Sequence, residues 1–287
     1  MLTPEQIKLR RSGIGSSDVG AVVSENPFKT IHDVWMDKVG LAEEIQGESD
    51  AAWLGHQMEP IIAGRYAVDR DVDVRRCDTT IVHPEHPWAM ATPDFFNSPN
   101  VTRIIECKWV GQRTAIHWTP EPDGIPSYVY AQCIWQMFVT GHRKLDVAVI
   151  FGGTAEFRIY QVEYSERAAK AIFDACDHFW HHNVLGKVPP PPDGSEAARK
   201  VLNLVYKDTR VPLIPAPPEA SEVFAERMRA IAAHKKAERE KEAATQRLIE
   251  ILGKAGAEGM AGDFGFVTYK QNAKGIRSIN CKERKEL

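Results

Sequence analysis

The stretch Ala91–Val110, ATPDFFNSPNVTRIIECKWV, contains the charged residues on which the interpretation of the whole chain depends. From Ile104 to Val110 it is an apolar run that Glu106 and Lys108 interrupt. In a β-strand, residues i and i+2 point to the same face, so these two side chains project together while Cys107 points into the opposite layer. Burying two charges is costly unless they pair with one another or bind a metal ion. The pattern therefore predicts a buried strand that carries a functional pair of charges.

Asp94 lies twelve residues before Glu106, near the end of the preceding predicted strand. Antiparallel pairing through the turn at Asn97–Asn100 would bring its carboxylate beside Glu106. Two carboxylates and a backbone carbonyl make the all-oxygen site that Mg²⁺ prefers, and Glu59 offers a third carboxylate from a helix. The ion would polarise a scissile phosphate and lower the pKa of a bound water. Lys108 would orient that water or stabilise the developing charge.

A lone E-x-K tripeptide is most often a pair of partly exposed strand residues or a structural salt bridge. The functional interpretation therefore depends on its surroundings. Pro93-Asp94 stands at a suitable distance, Glu59 lies upstream, and a helix that contains Gln132 lies downstream. Together these features favour a nuclease-type metal site over a structural pair.

Periodicity and turn residues outline an α/β unit around this stretch. Pro60 is expected to kink or break the third helix at Glu59. The domains are predicted as 1–186 for the catalytic unit, 187–218 for a proline-rich linker, and 219–287 for a long charged helix with a short edge strand. Within the first unit, helices are predicted at 16–23, 31–39, 50–69, 126–140 and 165–185, and strands at 73–83, 88–96, 101–110, 145–151 and 156–163.

The content of 43% hydrophobic and 26% charged residues is ordinary for a soluble globular protein. We expect no signal peptide, no membrane span, and reduced thiols for the five scattered cysteines. The net charge of −3 gives no general basic signature of nucleic-acid binding, but it leaves room for a local basic channel.

Two further patterns leave alternatives open. The segment Gly13–Asp18 combines glycines with a serine cap, which is typical of an anion site but equally of an ordinary turn. His178 and His182 lie one helical turn apart, as zinc ligands do, although no third ligand is evident and a packing or solvated role is favoured.

Several motifs occur in unbroken order across about residues 8–186: GIGSSD at 13–18, NPF at 26–28, GHQMEP at 55–60, PD at 93–94, ECK at 106–108 and QCIWQM at 132–137. On these motifs the chain resembles the YqaJ-type viral recombinase family, relatives of the lambda-type alkaline exonuclease in the PD-(D/E)XK nuclease superfamily. The resemblance implies an α/β (α+β) restriction-endonuclease-like core, with a mixed central sheet flanked by helices and a helical C-terminal extension.

The resemblance also implies an activity, namely a Mg²⁺-dependent exonuclease that degrades one strand of duplex DNA from its 5′ end. Mn²⁺ is expected to substitute, and two ions are expected to bind. The implied roles are metal ligation by Asp94, Glu106 and the Cys107 carbonyl, with Glu59 as a supporting carboxylate, catalysis by Lys108, a site-lining role for Gln132, and contact with the terminal 5′-phosphate by Arg10 and Ser17.

The implied setting is phage-type recombination in a bacterial cytoplasm, with a single-strand annealing protein as partner and a closed ring of three subunits. The apolar residues at both ends of the 219–252 helix favour an oligomer independently. Two alternatives remain: a structure-specific or restriction-like endonuclease, and a DNA-end-binding accessory protein without catalysis.

Overall fold

The computed structural model describes residues 4–23, 26–42, 49–120, 124–208, 213–272 and 274–284. Contacts divide the chain into two units, Met1–Thr209 and Arg210–Leu287. Among the described residues, no helix combines the length and apolar character that crossing a membrane requires.

Among its described residues, the first unit begins with a run of four helices, and a single crossover helix then interrupts its run of seven strands, an order typical of an α+β fold. Its helices are α1 (Pro4–Arg11), α2 (Ser16–Val22), α3 (Ile31–Lys38), α4 (Asp50–Arg70), α5 (Ser127–Thr140), α6 (Glu166–His178), which continues as a π-helical turn over Phe179–Leu185, and α7 (Glu196–Val205). Its strands are β1 (Asp73–Arg76), β2 (Ile81–Val82), β3 (Met90–Ala91), β4 (Phe95–Ser98), β5 (Ile104–Val110), β6 (Lys144–Phe151) and β7 (Glu156–Glu163).

The central sheet has five strands in the order β1-β4-β5-β6-β7. Strands β5 and β6 run parallel, whereas every other neighbouring pair is antiparallel. The parallel pairing of β5 and β6 follows from α5, because a crossover helix returns the chain to the end of the sheet at which β5 began. The predicted mixed sheet flanked by helices is therefore confirmed.

Side chains of β5 alternate between two apolar layers, as the sequence pattern predicted. Ile105 and Cys107 pack with Ile62 and Tyr66 of α4 on one face. Ile104 and Val110 belong to the larger core, which contains α5, on the other face. Glu106 therefore emerges into the layer that α5 covers.

Two of the predicted strands, 73–83 and 88–96, are in fact each divided into two short strands. The second division, at 92–94, has the larger consequence because it releases Asp94 from the sheet. Of the kink or break predicted at Pro60, the break is wrong, since α4 runs through that residue without interruption. Tertiary packing of the α4 face against β5 offsets the hydrogen bond that a proline removes.

Helix α7 lies within the region predicted as a linker, and it packs on α3. Its residues Ala197, Ala198 and Val201 are buried, which is why the contact boundary falls at 209 rather than before the helix. The second unit consists of α8 (Pro218–Lys254), β8 (Gly259–Gly262), β9 (Gly265–Gln271) and β10 (Arg277–Glu283). The strand predicted as an edge is wrong in that detail, because β9 is the central strand of a three-stranded antiparallel sheet.

Candidate active site

Strands β4 and β5 pair over only two residues before they separate. The pairing joins Phe95 with Ile105 and Phe96 with Ile104. Beyond this point none of the described strands pairs with that edge of β5, and the Asp94 carboxylate takes the place of a strand partner. Its Oδ2 accepts a hydrogen bond of 2.8 Å from the backbone N–H of Cys107. The separation of the two strands therefore sets the position of Asp94.

The Cys107 carbonyl shares this edge. In an extended strand the N–H and C=O of one residue point toward the same neighbour, so the carbonyl faces the Asp94 side. Two oxygen donors of the sequence-based prediction are thereby brought together, one from a side chain and one from the backbone.

Glu106 is buried and held by three donors. Its Oε1 accepts hydrogen bonds from Lys108 Nζ at 2.6 Å and from Gln132 Nε2 at 2.6 Å. Its Oε2 accepts one from Gln136 Nε2 at 2.8 Å. The two glutamines lie one turn apart on α5, which explains how one helix face reaches both oxygens.

Gln136 was not among the predicted site residues. Its four-residue spacing from Gln132 is the signal in the sequence that would have identified it. The side-chain oxygen of Gln136 is buried without a hydrogen-bond partner among the described residues. The hydrogen bond that Gln136 makes through its side-chain nitrogen goes to Glu106, so this side chain supports the site.

The electrostatics of this cluster favour a bound cation. Burial, together with the negative charge of Glu106, raises the pKa of Asp94 well above its usual value. Burial alone would lower the pKa of Lys108, but the Glu106 and Asp94 carboxylates outweigh it and raise that pKa. One ammonium thus faces the buried carboxylate of Glu106 and the partly buried carboxylate of Asp94, and the excess negative charge suits a divalent ion.

The donor set fits Mg²⁺ in its chemistry, because every donor is an oxygen. Among the described residues, no three acidic, histidine or cysteine side chains converge as a metal-binding group by themselves. An ion held here would therefore use Asp94, Glu106 and the Cys107 carbonyl, with solvent or substrate in the remaining positions.

Glu59 reaches the same cleft from α4. Its Oε2 accepts a hydrogen bond of 2.9 Å from Arg76, and its Oε1 lies 3.9 Å from His56 Nε2. Burial is the largest effect on its carboxyl group and raises its pKa. Glu59 is thus present at the cleft but engaged with Arg76, a partner that sequence analysis did not identify.

The cleft has a volume of about 490 Å³. Arg10 and Ser17 line it together with the catalytic candidates, so the structure brings both ends of the predicted site into one cavity. The lining also includes Gly15, Ser16, Gly55, His56, Glu59, Thr92, Asp94, Glu106, Cys107, Lys108, Trp109 and Gln132.

Gly13 has a packing role rather than the predicted ligand approach. A Cβ at this position would lie 2.2 Å from the Trp88 carbonyl oxygen. The close approach allows Ile14 to donate to that oxygen at 2.7 Å and to accept from Met90 at 3.0 Å. The segment that carries Ser17 is thereby fastened beside the chain that leads to Asp94.

The rings of His178 and His182 stack with centroids 4.9 Å apart. No third ligand joins them to form a metal group within the described part of the chain. The alternative of a zinc site has no geometric support there, and the two exposed rings stack on the surface.

Comparison with known proteins gives a family for the part of the chain that contains this site. Residues 6–143 match the model of the YqaJ-like viral recombinase domain. These residues include Arg10, Ser17, Glu59 and the Asp94–Gln132 cluster. Over these residues the chain is similar to the YqaJ-like viral recombinase family. The resemblance inferred from the motifs is confirmed.

The chain also has a curated relative. The uncharacterized protein YqaJ of Bacillus subtilis is 32% identical over 202 residues, which cover 70% of this chain and 62% of the relative. The chain thus spans less than two thirds of that protein's length.

Among solved structures, an alkaline exonuclease from Laribacter hongkongensis is similar to this chain. The TM-score is 0.54 at 19% identity, covering 70% of this chain and 100% of the other. The same protein in complex with dAMP gives the same values. At this level of identity the likeness shows a shared fold.

Proposed function

We propose that this chain is a Mg²⁺-dependent exonuclease that degrades one strand of duplex DNA from its 5′ end. The observation that carries the proposal is the convergence of Asp94, Glu106 and Lys108 where β4 and β5 separate. The fold shared with an alkaline exonuclease adds support. Intact charges at all three positions argue against a purely DNA-binding protein with a decayed site.

In this proposal, Asp94, Glu106 and the Cys107 carbonyl hold the ion. Glu59 would support a second ion by exchanging its hydrogen bond with Arg76 for a metal contact. The bound ion would polarise the scissile phosphate and lower the pKa of a water molecule. Mn²⁺ should replace Mg²⁺, since it accepts the same oxygen donors.

The protein's own groups have separate tasks. Gln132 and Gln136 hold the Glu106 carboxylate in one orientation through hydrogen bonds of 2.6 and 2.8 Å. The Lys108 ammonium stabilises the negative charge that develops on the phosphate during cleavage. Asp94, anchored on the Cys107 N–H, is fixed before any ligand arrives, so little reorganisation is needed.

The proposed 5′-to-3′ direction of degradation depends on the wall of the cleft that carries Arg10 and Ser17. Arg10 and Ser17 offer a cation and a hydroxyl for a terminal 5′-phosphate, and both line the cavity that contains Lys108. A charge-assisted contact with the phosphate would place the first phosphodiester of the 5′ strand near the metal ligands.

The deciding experiment compares linear and closed circular duplex DNA with Mg²⁺, using linear substrates labelled at either end. We expect mononucleotides released from the 5′ end of linear DNA and no cleavage of circles. Cleavage of closed circles would instead support the structure-specific or restriction-like endonuclease. Binding to ends without cleavage under any divalent ion would support the accessory protein.

The proposal extends to assembly and partners. Residues Val223, Phe224, Met228 and Ile231 on α8 are exposed within the second unit. We propose that such surfaces support an oligomer, with a trimeric ring favoured, and that an annealing protein takes up the single strand in a bacterial cytoplasm during phage-type recombination. A ring predicts long tracts degraded per binding event. Light scattering that shows a monomer, together with distributive digestion, would exclude the ring.

A further inference from the structure

A fully buried ion pair lies directly behind the wall of the cleft that carries Arg10 and Ser17. The side chains of Lys38 and Asp18 are 0% and 1% exposed, and Lys38 Nζ lies 2.7 Å from Asp18 Oδ2. Neither residue lines the cleft. The pair is therefore separate from the groups that would contact DNA or metal.

Each partner also makes a hydrogen bond to the backbone of that wall. Lys38 Nζ donates to the carbonyl of Arg10 at 2.7 Å. Asp18 Oδ2 accepts from the N–H of Gly15 at 3.4 Å. The carbonyl of Arg10 lies in the last turn of α1, where helical carbonyls have no partner within the helix. The ion pair thus links the end of α1 to the start of α2.

A second lysine allows the two functions of this cluster to be separated. Lys29 Nζ lies 2.7 Å from the other oxygen of Asp18, Oδ1, and its side chain is 29% exposed. Lys29 thus shares the neutralisation of Asp18, while the bond to the Arg10 carbonyl comes from Lys38.

Stability alone does not account well for such a pair. Removing two charges from water costs several kcal/mol per ion, and a buried ion pair is often replaceable by apolar residues without loss of stability. What apolar residues cannot do is hold the Arg10 carbonyl. A long arginine side chain recognises a phosphate with useful affinity only if its backbone is fixed beforehand, because ordering it on binding costs free energy.

We propose that Lys38 and Asp18 are positioning residues for recognition of the DNA end. They hold Arg10 and Ser17 at a fixed separation and thereby set the affinity for a 5′-phosphorylated terminus, not the rate of hydrolysis. The inference rests on the proposed exonuclease function, since it assigns the purpose of this wall to the terminal phosphate.

The test uses the full-length variants K38M and D18N/K38M, with K29M as the matched control. K38M removes the bond to the Arg10 carbonyl, and the double variant removes it without leaving a buried charge unpaired. KM and kcat are measured on duplexes with 5′-phosphate and 5′-hydroxyl ends. We expect both variants to raise KM for phosphorylated ends about tenfold, the equivalent of one lost contact, with kcat within about twofold. K29M should match the wild type.

Limited trypsin digestion gives a second readout that needs no nuclease activity. Cleavage after Arg10 should be faster in K38M and D18N/K38M than in K29M, since the freed carbonyl segment opens more often. If the wild type degrades no DNA, the proposed function fails. The trypsin comparison still tests whether Lys38 fixes the backbone at Arg10.

Equal trypsin rates in the three variants would overturn the inference. So would equal KM changes on both kinds of DNA end, or a K29M variant that loses end preference as K38M does. Loss of end preference in D18N/K38M at a melting temperature close to that of the wild type would support positioning over general stability.

Discussion

The backbone N–H of Cys107 donates a hydrogen bond to the carboxylate of Asp94, and the two atoms are 2.8 Å apart. A residue that precedes β4 is thus bound to the middle of β5, at an edge where no strand of the described ranges pairs. Because the anchor is a backbone group, an asparagine at position 94 can keep it while losing the charge. The metal-binding role can therefore be separated from the structural role.

Substitutions that remove charge but keep shape should abolish cleavage. Asp94→Asn and Glu106→Gln each remove one anionic ligand. The asparagine keeps an acceptor for the Cys107 N–H. The glutamine keeps an acceptor for Lys108 and Gln132, and its NH2 group can donate to the side-chain oxygen of Gln136, which has no partner within the described ranges, once that amide flips. We expect each to lower Mg²⁺-dependent cleavage more than about 100-fold, above the loss typical of groups that only support a ligand. Circular dichroism should show a native fold. Substantial activity in either folded variant would contradict the assignment of that residue.

Lys108→Met should separate catalysis from metal binding. Removing an ammonium 2.6 Å from Glu106 Oε1 leaves more uncompensated negative charge at the site. Divalent-ion affinity, measured by calorimetry with Mg²⁺, should therefore rise or stay the same. The value of kcat should fall by about 10²- to 10³-fold, as for loss of a group that stabilises transition-state charge. Weaker ion binding with an unchanged kcat would assign Lys108 a purely structural role.

Arg10→Ala should erase the preference for phosphorylated ends. The unmodified protein is expected to degrade 5′-phosphorylated duplexes faster than 5′-hydroxyl duplexes, because a charge-assisted contact is available to the phosphate. The variant should treat both ends alike while its rate on hydroxyl ends changes little. Lys8→Ala is the control, since Lys8 is exposed on the same helix but does not line the cleft. Equal rates on both ends for the wild type would remove the basis for this assignment.

Acid should weaken the fold through Asp18. Burial by itself would raise the pKa of this carboxyl group, but Lys38 and Lys29 outweigh burial and hold the pKa well below its usual value. The folded state therefore binds fewer protons than the unfolded state below about pH 4, the range in which a free aspartate titrates. The contribution of Asp18 to the free energy of unfolding is therefore complete above about pH 4 and is lost as the pH falls below it.

Urea unfolding between pH 7 and pH 3 measures this effect. The free energy of unfolding of the wild type should fall below pH 4 relative to that of D18N/K38M, which lacks the titrating pair. Parallel profiles for the two proteins would show that Asp18 does not carry the predicted stabilisation.

Two glycine substitutions should have opposite effects on stability. Gly13→Ala places a Cβ 2.2 Å from the Trp88 carbonyl oxygen, so the backbone must shift, at a cost of about 1–3 kcal/mol. Gly64→Ala meets no atom within 4 Å on α4 and should stabilise that helix by about 0.5–1 kcal/mol. Thermal melts of both variants provide the measurement. A Gly13→Ala protein as stable as the wild type would contradict the close packing of this segment.

Local pattern was sufficient for most elements of the first unit. The start of α3 at Ile31 and the ends of α5, β6 and β7 lie within one residue of the positions that turn residues and periodicity predicted. The continuous course of α4 through Pro60 could not be predicted. A proline costs one helical hydrogen bond, and only the packing of Ile62 and Tyr66 against the sheet shows that this cost is offset.

The amino-acid sequence by itself determined which chemical groups share a face and which family the domain resembles. Glu106 and Lys108 point together because a strand alternates with a period of two, and Gln132 lies on the helix that follows. The tertiary structure decided what these groups contact. Asp94 reaches the Cys107 N–H because β4 and β5 separate early. The Gln136 amide on Glu106 and the Lys38 hydrogen bond to the Arg10 carbonyl also join residues of different elements. Their distances depend on how helices and strands pack, which no local pattern encodes.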